Sequence, residues 1–380
     1  MIRLFSRQKT KLNSYRTSWL ELFFDLVFVA LVAQLTYDFS HHHHTLEDFM
    51  QVGLVGYMIF LAWMLTTANR NIRQDEDLID ILAVQAQMVM VMIMSLSLPQ
   101  AFGDYSWLFF GAMAITIFIG VGLIRRMYVL HPEKRPKTLN VSWGFFLAGC
   151  LWLLAGLFPT PYLYIVAGAA LVLNILAPMT KGAGNQTLMM DMDHLLERLG
   201  LFLLMVMGEA VLVVALVNSA AGKFDLHHLV IVLSGLMQMI ALWWWYFPYI
   251  HNHAQGKRAI WFQLMLQTHG FLYGSLILIA AGLKILVENP DSSLNNMWIF
   301  LAGIMLLVTT FNIIRATLTH HPLQSVKSVL GFVLGIGALI SFCIYHQWPA
   351  YVMVPVVTAW LLLYVALDYR KHFGARCVIH

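Results

Sequence analysis

Three acidic residues lie inside long apolar stretches of this sequence, where a charge is costly. Glu21 and Asp25 are four residues apart, so they share one face if their stretch is a helix. Glu209 lies twelve residues beyond Glu197, or about 18 Å deeper at the rise of an α-helix. An ionisable group at the centre of a membrane helix costs roughly 2.5–3.5 kcal/mol and usually has a function. Carboxylates in a poorly solvated interior tend to hold a proton or a cation, and we predict such a site at Glu21, Asp25 and Glu209.

A second set of polar residues precedes Glu209 in the same apolar stretch. His194, Glu197 and Arg198 recur at helical spacing, and we predict that they orient the carboxylates or gate access to them. Asp191 and Asp193 lie beside them, and their oxygen atoms together with His194 could bind a metal ion at the membrane interface. The helix dipole favours acidic residues at a helix start without any metal, so the metal content stays unknown.

Amides and a histidine form a third polar set inside the apolar stretches. Gln85 and Gln87 lie in one stretch, and Gln267 and His269 occupy nearly the same offset in a later one. We predict that these four residues line a polar pathway. The alternative is that they form ordinary hydrogen bonds between neighbouring helices.

The composition shows which elements must position these residues. The chain is 60% hydrophobic and only 11% charged, against roughly 25% charged in soluble domains. A membrane helix needs about 20 mostly apolar residues, and twelve windows meet this requirement. They lie near 19–37, 50–68, 78–98, 106–124, 141–158, 162–178, 197–217, 228–247, 266–286, 296–317, 327–346 and 349–367. We therefore predict an all-α polytopic membrane protein with about 12 transmembrane helices.

The distribution of Lys and Arg predicts the orientation in the membrane. With twelve spans, every basic residue except Lys223 and Lys284 falls on the side of the N-terminus. Cytoplasmic loops carry such an excess, so we predict that both termini are cytoplasmic. The same distribution explains the net charge of +4 without a nucleic-acid partner.

Three weak internal matches, in the same order along the chain, suggest a duplication. Residues 58–63 resemble residues 239–244, and residues 124–132 share an Ile-Arg and a His-Pro pair at equal spacing with residues 314–322. The third match is the polar set described above. Chance likeness between apolar, Trp-rich or Arg-ended helices is the alternative explanation.

The duplication would divide one membrane domain into two halves. Residues 1–180 would form an N-terminal six-helix half, and residues 181–380 a C-terminal one. Because six is even, the halves would be parallel repeats with a pathway at their interface.

Two segments resemble the signature of the bacterial low temperature requirement A (LtrA) family. The first is E-L-F-F-D-L-V-F-V at residues 21–29, and the second is E-R-L-G-L-F at residues 197–202, followed by G-E at residues 208–209. The resemblance implies a multi-pass protein of the bacterial cytoplasmic membrane that is linked to growth in the cold. It implies no settled molecular activity. Ala210 stands where the family has a small hydroxyl residue.

We favour a secondary transporter or channel-like permease, linked to protons or cations, for a small solute that the sequence does not name. The chain has no nucleotide-binding, nucleophile-elbow or C-x-x-C motif, so no cofactor is expected. An intramembrane enzyme acting on a lipid or polyprenyl carrier is the alternative, and a membrane scaffold for cold tolerance is a third possibility. The expected partners are the lipid bilayer and the solute or cation, and a homo-oligomer is left open.

Overall fold

The computed structural model describes residues 17–41, 45–73, 77–130, 135–179, 190–220, 225–253, 259–289, 297–319 and 322–373. Over these ranges the chain forms twelve α-helices, short 3₁₀ turns and no β-strand. The prediction of an all-α fold is therefore confirmed for the described part of the chain.

The twelve helices follow the twelve apolar windows in order. They are α1 (Trp19–Ser40), α2 (Leu46–Arg73), α3 (Leu78–Ser97), α4 (Ser106–Leu130), α5 (Arg135–Ala155), α6 (Tyr162–Leu176), α7 (Met192–Ala220), α8 (Leu226–His253), α9 (Ala259–Glu288), α10 (Trp298–Thr319), α11 (Pro322–Tyr345) and α12 (Ala350–Phe373). Among the described residues, nine helices are long and apolar enough to cross a membrane, namely α1 to α4 and α8 to α12. The chain is thus a multi-pass membrane protein by the length and composition of its helices.

The helices of the two predicted halves have equivalent neighbours. In the first half α1 packs on α2 and α3, α2 packs on α4 and α6, and α3 to α6 pack in succession. In the second half α7 packs on α8 and α9, α8 packs on α10 and α12, and α9 to α12 pack in succession. The same seven pairings therefore occur in both halves.

The two halves meet where α1 and α2 pack against α7 and α9. Glycine permits one close approach, because a Cβ atom at Gly270 would lie only 2.7 Å from a ring carbon of Phe60 and 2.8 Å from one of Tyr57. At the C-terminal end of α1, the buried Lys284 of α9 donates to the Ser40 hydroxyl at 2.7 Å and lies 4.1 Å from the centre of the Tyr37 ring. Contacts from the second half therefore hold both α2 and the C-terminal end of α1.

A charged contact connects Asp77, which lies just before the span of α3, to the ends of α3 and α4. Asp77 is the N-cap of α3, where its side chain accepts from the Asp80 amide at 3.0 Å. The Arg126 guanidinium donates to both carboxylates. Its hydrogen bond to Asp77 is the main cause that lowers the pKa of that carboxyl to about 2.

This contact predicts a small, acid-sensitive contribution to stability. Because the folded pKa lies below the unfolded value of about 3.9, the contribution is present above the unfolded pKa and is lost as the pH falls through about 2. Asp77 is nearly half exposed, so we expect less than about 1 kcal/mol. Thermal unfolding of the native chain and Asp77→Asn should differ slightly at neutral pH and converge in acid. A difference in unfolding temperature that stayed constant down to the lowest pH would show that the Asp77 charge does not cause it.

Candidate functional site

The site begins at the first turn of α1. Ser18 is the N-cap, and its hydroxyl accepts from the Glu21 amide at 3.3 Å while its own amide donates to Glu21 Oε2 at 2.8 Å. This reciprocal capping box follows from the Ser-x-x-Glu spacing in the sequence. The local sequence therefore both starts the helix and fixes the direction of the Glu21 carboxylate.

Cationic and imidazole groups from two other helices surround Glu21, which is only 1% exposed. Arg70 of α2 places its Nε atom 3.2 Å from Glu21 Oε1. From α7, Arg198 Nη1 and His194 Nε2 each lie 3.7 Å from Glu21 Oε2. Glu21 is thus a buried carboxylate shared by α1, α2 and α7.

Asp25 lies one turn further along α1 and has no exposed surface. Its Oδ1 atom accepts from Arg198 Nη2 at 2.5 Å and from the Trp63 indole nitrogen at 2.7 Å. Its Oδ2 atom has no hydrogen-bond partner among the described residues. Two donors therefore stabilise the charge on Oδ1 of this buried carboxylate, whereas no described donor reaches Oδ2.

The start of α7 is tied to the end of α2 by a small hydrogen-bond network. Asn71 donates to the Asp191 carbonyl at 2.8 Å and accepts from the Asp191 amide at 2.8 Å. The Asn71 amide nitrogen also lies 3.2 Å from His194 Nδ1, and the His194 amide donates to Asp191 Oδ1 at 3.2 Å. This network fixes the first turn of α7, which carries His194 and, one turn later, Arg198.

Arg198 is the least compensated cation of the site. Only 1% of its side-chain surface is exposed, yet its Nε and Nη1 atoms have no hydrogen-bond partner among the described residues. Its guanidinium lies 5.9 Å from the centre of the Trp63 ring, within the range of a cation–π contact. With Glu21, Asp25 and Arg70, the site holds two carboxylates and two guanidinium groups. The formal charges of these four groups sum to zero, but several of their buried donor and acceptor atoms have no described hydrogen bond. Such incomplete networks are costly in a low dielectric.

A second buried ion pair in the C-terminal half provides a comparison. Asp368 of α12 accepts from the Arg315 guanidinium, from Trp245 Nε1 at 2.9 Å and from the Tyr249 hydroxyl at 3.0 Å. Arg315 also donates to Asn312. Neither member of this pair has a buried atom without a hydrogen-bond partner in the described residues. The Arg315–Asp368 pair is therefore saturated and ties α8, α10 and α12 together, whereas the Arg198–Asp25 pair is not.

Four of the residues predicted from the sequence converge at this site. Glu21, Asp25, His194 and Arg198 lie together, whereas Glu197 is exposed. Glu209 is half-buried, lies eleven residues beyond Arg198, or about 16 Å along α7, and has no hydrogen bond or ion pair within the described residues. The carboxylate of α1 is therefore met by an arginine of α7 and not by the deeper glutamate.

The four residues of the predicted polar pathway are dispersed. Gln87 is buried and donates to the Thr116 carbonyl at 3.0 Å, whereas Gln85 is exposed. Gln267 accepts from the Tyr57 hydroxyl at 2.6 Å, which connects α9 to α2. The buried His269 of α9 has its Nε2 atom 3.0 Å from the Tyr246 hydroxyl of α8. Gln87, Gln267 and His269 thus contact neighbouring helices, and a continuous pathway through them stays a prediction.

Three residues of the site were missed by reasoning from the sequence. Arg70 was assigned to a cytoplasmic connection, but α2 continues to Arg73 and buries it. Trp63 stands seven residues before Arg70, which is two helical turns, so both lie on the face that meets α1. Asn71 gave no signal of its own. An arginine two turns after a tryptophan near the end of an apolar helix is the pattern that could have identified this face.

The metal site considered from the sequence finds no support in the described ranges. His194 and Asp191 are turned toward Asn71, whereas Asp193 and Glu197 are exposed. Within the described part of the chain, no group of three or more His, Cys, Asp or Glu side chains could hold a metal ion.

A buried charge cluster between helices of a polytopic bundle defines the class as a multi-pass α-helical membrane protein with an intramembrane ionisable site. Residues 16–366 match the bacterial low temperature requirement A protein (LtrA) family, and the chain belongs to that family. It is 24% identical over 279 residues to the uncharacterized protein RA0937 of Rhizobium meliloti (strain 1021). The aligned region covers 66% of this chain and 63% of that protein. No solved structure matches the chain.

Proposed function

We propose that this protein is a proton-linked secondary permease of the bacterial cytoplasmic membrane in which Asp25 binds the proton. The observation that carries the proposal is the fully buried carboxylate of Asp25. It pairs with Arg198 across the interface between the two halves, and its second oxygen accepts no hydrogen bond from the described residues. Intramembrane ionisable residues of this kind are typical of proton relays and transport sites. The proposal includes the role in growth at low temperature that the family name suggests.

The charges around Asp25 favour a proton over a metal cation as the coupling ion. Arg198 lies 2.5 Å from Asp25 Oδ1, and Arg70 lies 3.2 Å from the neighbouring carboxylate of Glu21. A sodium or potassium ion at either carboxylate would lie within a few ångströms of a guanidinium charge in a low dielectric, where repulsion is strong. A proton adds almost no volume and could bind to Oδ2, which no described residue hydrogen-bonds.

Glu21 and Asp25 have different parts in this proposal. Glu21 accepts from the Ser18 amide and pairs with Arg70, Arg198 and His194, so its charged form is well compensated. Asp25 is buried more completely and is compensated at only one oxygen. Because burial disfavours a charge that is poorly compensated, we assign the reversible proton to Asp25 and a fixed negative charge to Glu21.

Binding of the proton would weaken the contact between the two halves. A hydrogen bond between charged groups is worth about 1.5–3 kcal/mol and a neutral one about 0.5–1.5 kcal/mol. Neutral Asp25 would therefore hold Arg198 less tightly, and α1 and α7 could separate. Such a change of contact at the interface of two helix bundles is the expected basis of alternating access.

We further propose that all twelve helices cross the membrane, with both termini in the cytoplasm, and that the two six-helix halves are parallel repeats. The proposed topology is supported by the distribution of Lys and Arg, because the loops on one side of the membrane would hold almost none of them. The seven equivalent helix pairings of the two halves support the repeat. The site then lies where α1, the first helix of one repeat, meets α7, the first helix of the other.

Proton flux into proteoliposomes tests the proposed function. The full chain would be reconstituted in vesicles that contain a pH-sensitive dye, and flux would be driven by an imposed pH gradient and, separately, by an imposed potential. The external solution would be tested with and without a small-molecule extract of bacterial cells as a source of solute. We expect flux above that of empty vesicles in at least one of these conditions. Flux equal to that of empty vesicles in both conditions would overturn the proposal.

Glu209 stays a predicted second proton site, deeper along α7, and Glu209→Gln tests it. Glutamine keeps the size of the side chain and removes its ionisation, so we expect proton flux to fail if the proton passes this residue. Because Glu209 has no described hydrogen bond or ion pair, the free energy of unfolding should change by less than about 0.5 kcal/mol. Native flux in this variant would exclude Glu209 and leave Asp25 as the proton site.

A further inference from the structure

Arg198 has donor capacity that no described residue uses. Its Nε and Nη1 atoms are buried and lack hydrogen-bond partners in the described ranges. The distance of 3.7 Å from Nη1 to Glu21 Oε2 exceeds that of a hydrogen bond. Among the described contacts only Nη2 makes a hydrogen bond, to Asp25, while Nη1 stays at ion-pair distance from Glu21. A buried guanidinium with idle donors is costly, and an acceptor that reached it would be bound strongly.

Glu21 is not free to fill this need. Its Oε2 atom accepts from the Ser18 amide at 2.8 Å, and its Oε1 atom pairs with Arg70 Nε at 3.2 Å. The capping box fixes the carboxylate at the start of α1. A movement of Glu21 toward Arg198 would break the cap and take the carboxylate away from Arg70. A charged acceptor for Arg198 must therefore come from elsewhere when Asp25 is neutral.

The charge balance of the site gives the sign of that acceptor. In its resting form the site has two carboxylates, Glu21 and Asp25, and two guanidinium groups, Arg70 and Arg198. A proton on Asp25 leaves one excess positive charge. It lies mainly on Arg198, because Arg70 Nε donates to Glu21 at 3.2 Å whereas Arg198 Nη1 lies 3.7 Å from that carboxylate. A buried excess charge is unfavourable, and an anion beside Arg198 would cancel it.

We propose that the solute of this permease is a small anion with a carboxylate or phosphate group, and that this group replaces Asp25 on Arg198 when Asp25 binds its proton. The inference rests on the proposed function and names the class of its substrate. The proton binds to Asp25 Oδ2, and an oxygen of the solute accepts from the Arg198 guanidinium. On release the proton leaves Oδ2 and the Asp25 carboxylate returns to Arg198. One proton and one negative charge move together in each cycle.

The remaining groups that face Asp25 are compatible with this exchange. Glu21 precedes it on α1, Trp63 and Arg70 approach from α2, and His194 approaches with Arg198 from α7. From α9 the Tyr273 hydroxyl is directed to the Leu199 carbonyl at 3.0 Å. No hydrogen bond or ion pair of Asp25 in the described residues comes from α3 or α9. Arg198 is therefore the cation that a proton on Asp25 releases.

Binding of labelled acetate and labelled inorganic phosphate to the detergent-purified full chain tests the inference. Asp25→Asn imitates the protonated carboxyl at every pH. We expect this variant at neutral pH to bind at least one of the two anions saturably, about tenfold or more tighter than the native chain. The native chain should gain affinity as the pH is lowered, whereas the variant should not. Adding Arg198→Gln to Asp25→Asn should remove the binding.

Asp368→Asn is the matched control. It removes the charged partner of the buried Arg315, which keeps the side chain of Asn312 as a second acceptor. Arg315 still donates to Asn312 in that variant, so no anion binding should appear. The inference is overturned if Asp25→Asn binds neither anion, or if binding survives the loss of Arg198. Proton flux in the native chain that Asp25→Asn removes, without any anion binding, would reject the anion while leaving the proposed permease intact.

Discussion

Asp25→Asn is expected to abolish proton flux in proteoliposomes while the protein remains folded. Asparagine keeps the size of the side chain and the acceptor for Trp63 and Arg198, but it cannot take up and release a proton. Groups that transfer protons in a fixed geometry contribute about 100-fold or more to rate. We therefore expect the flux of this variant to fall by at least about 100-fold relative to the native chain.

Asp368→Asn is the control for this experiment. It removes a carboxylate of the same kind, which also accepts from a tryptophan and an arginine, but at the saturated pair of the C-terminal half. We expect this variant to be less stable and to keep its proton flux per folded molecule. Equal loss of flux in both variants would mean that the two carboxylates serve the integrity of the bundle, and native flux in Asp25→Asn would refute the proton site.

The second large effect is expected from Arg198→Met. The substitution leaves Asp25 buried without its cation, and removing one partner of a buried ion pair typically costs about 3–5 kcal/mol. We expect a strongly lowered unfolding temperature of the purified protein, measured by tryptophan fluorescence in detergent. The double variant with Asp25→Asn removes the stranded charge and should recover most of the lost stability.

The double variant decides whether charge or packing causes the effect. If Arg198→Met destabilised the chain equally with and without Asp25→Asn, the loss would come from the packing of the arginine on Trp63 and not from the ion pair. The Arg315→Met variant allows the same cycle with Asp368→Asn. There we expect only partial recovery, because Asn312 Oδ1 would also lose the hydrogen bond from Arg315.

The periodic features of the chain were predictable from the sequence, since they follow from the thickness of a bilayer. Twelve apolar windows gave twelve helices in the described ranges, and the spacing of Glu21 and Asp25 placed both on one buried face. Helix ends were less predictable. The window near 197–217 became Met192–Ala220, and this earlier start brings His194 into the first turn.

Which helices meet at the site could not be read from one sequence. The depth of Glu209 was estimated by counting residues, but the count does not say which side of α7 faces α1. Arg198 occupies that side instead. Arg70 was missed for a related reason, because a positive charge near a predicted helix end is usually solvated, and only the packing of α1 and α7 against α2 makes it buried.

The contacts at the two ends of α1 have a mechanical consequence. Near its start α1 is fastened to α7 through Arg198, and at its far end Lys284 of α9 holds Ser40 and His41. A proton on Asp25 weakens only the contact with Arg198, so the far end of α1 would stay attached to α9 through Lys284. During alternating access α1 should therefore tilt about its C-terminal end, and should not leave the C-terminal half as a whole.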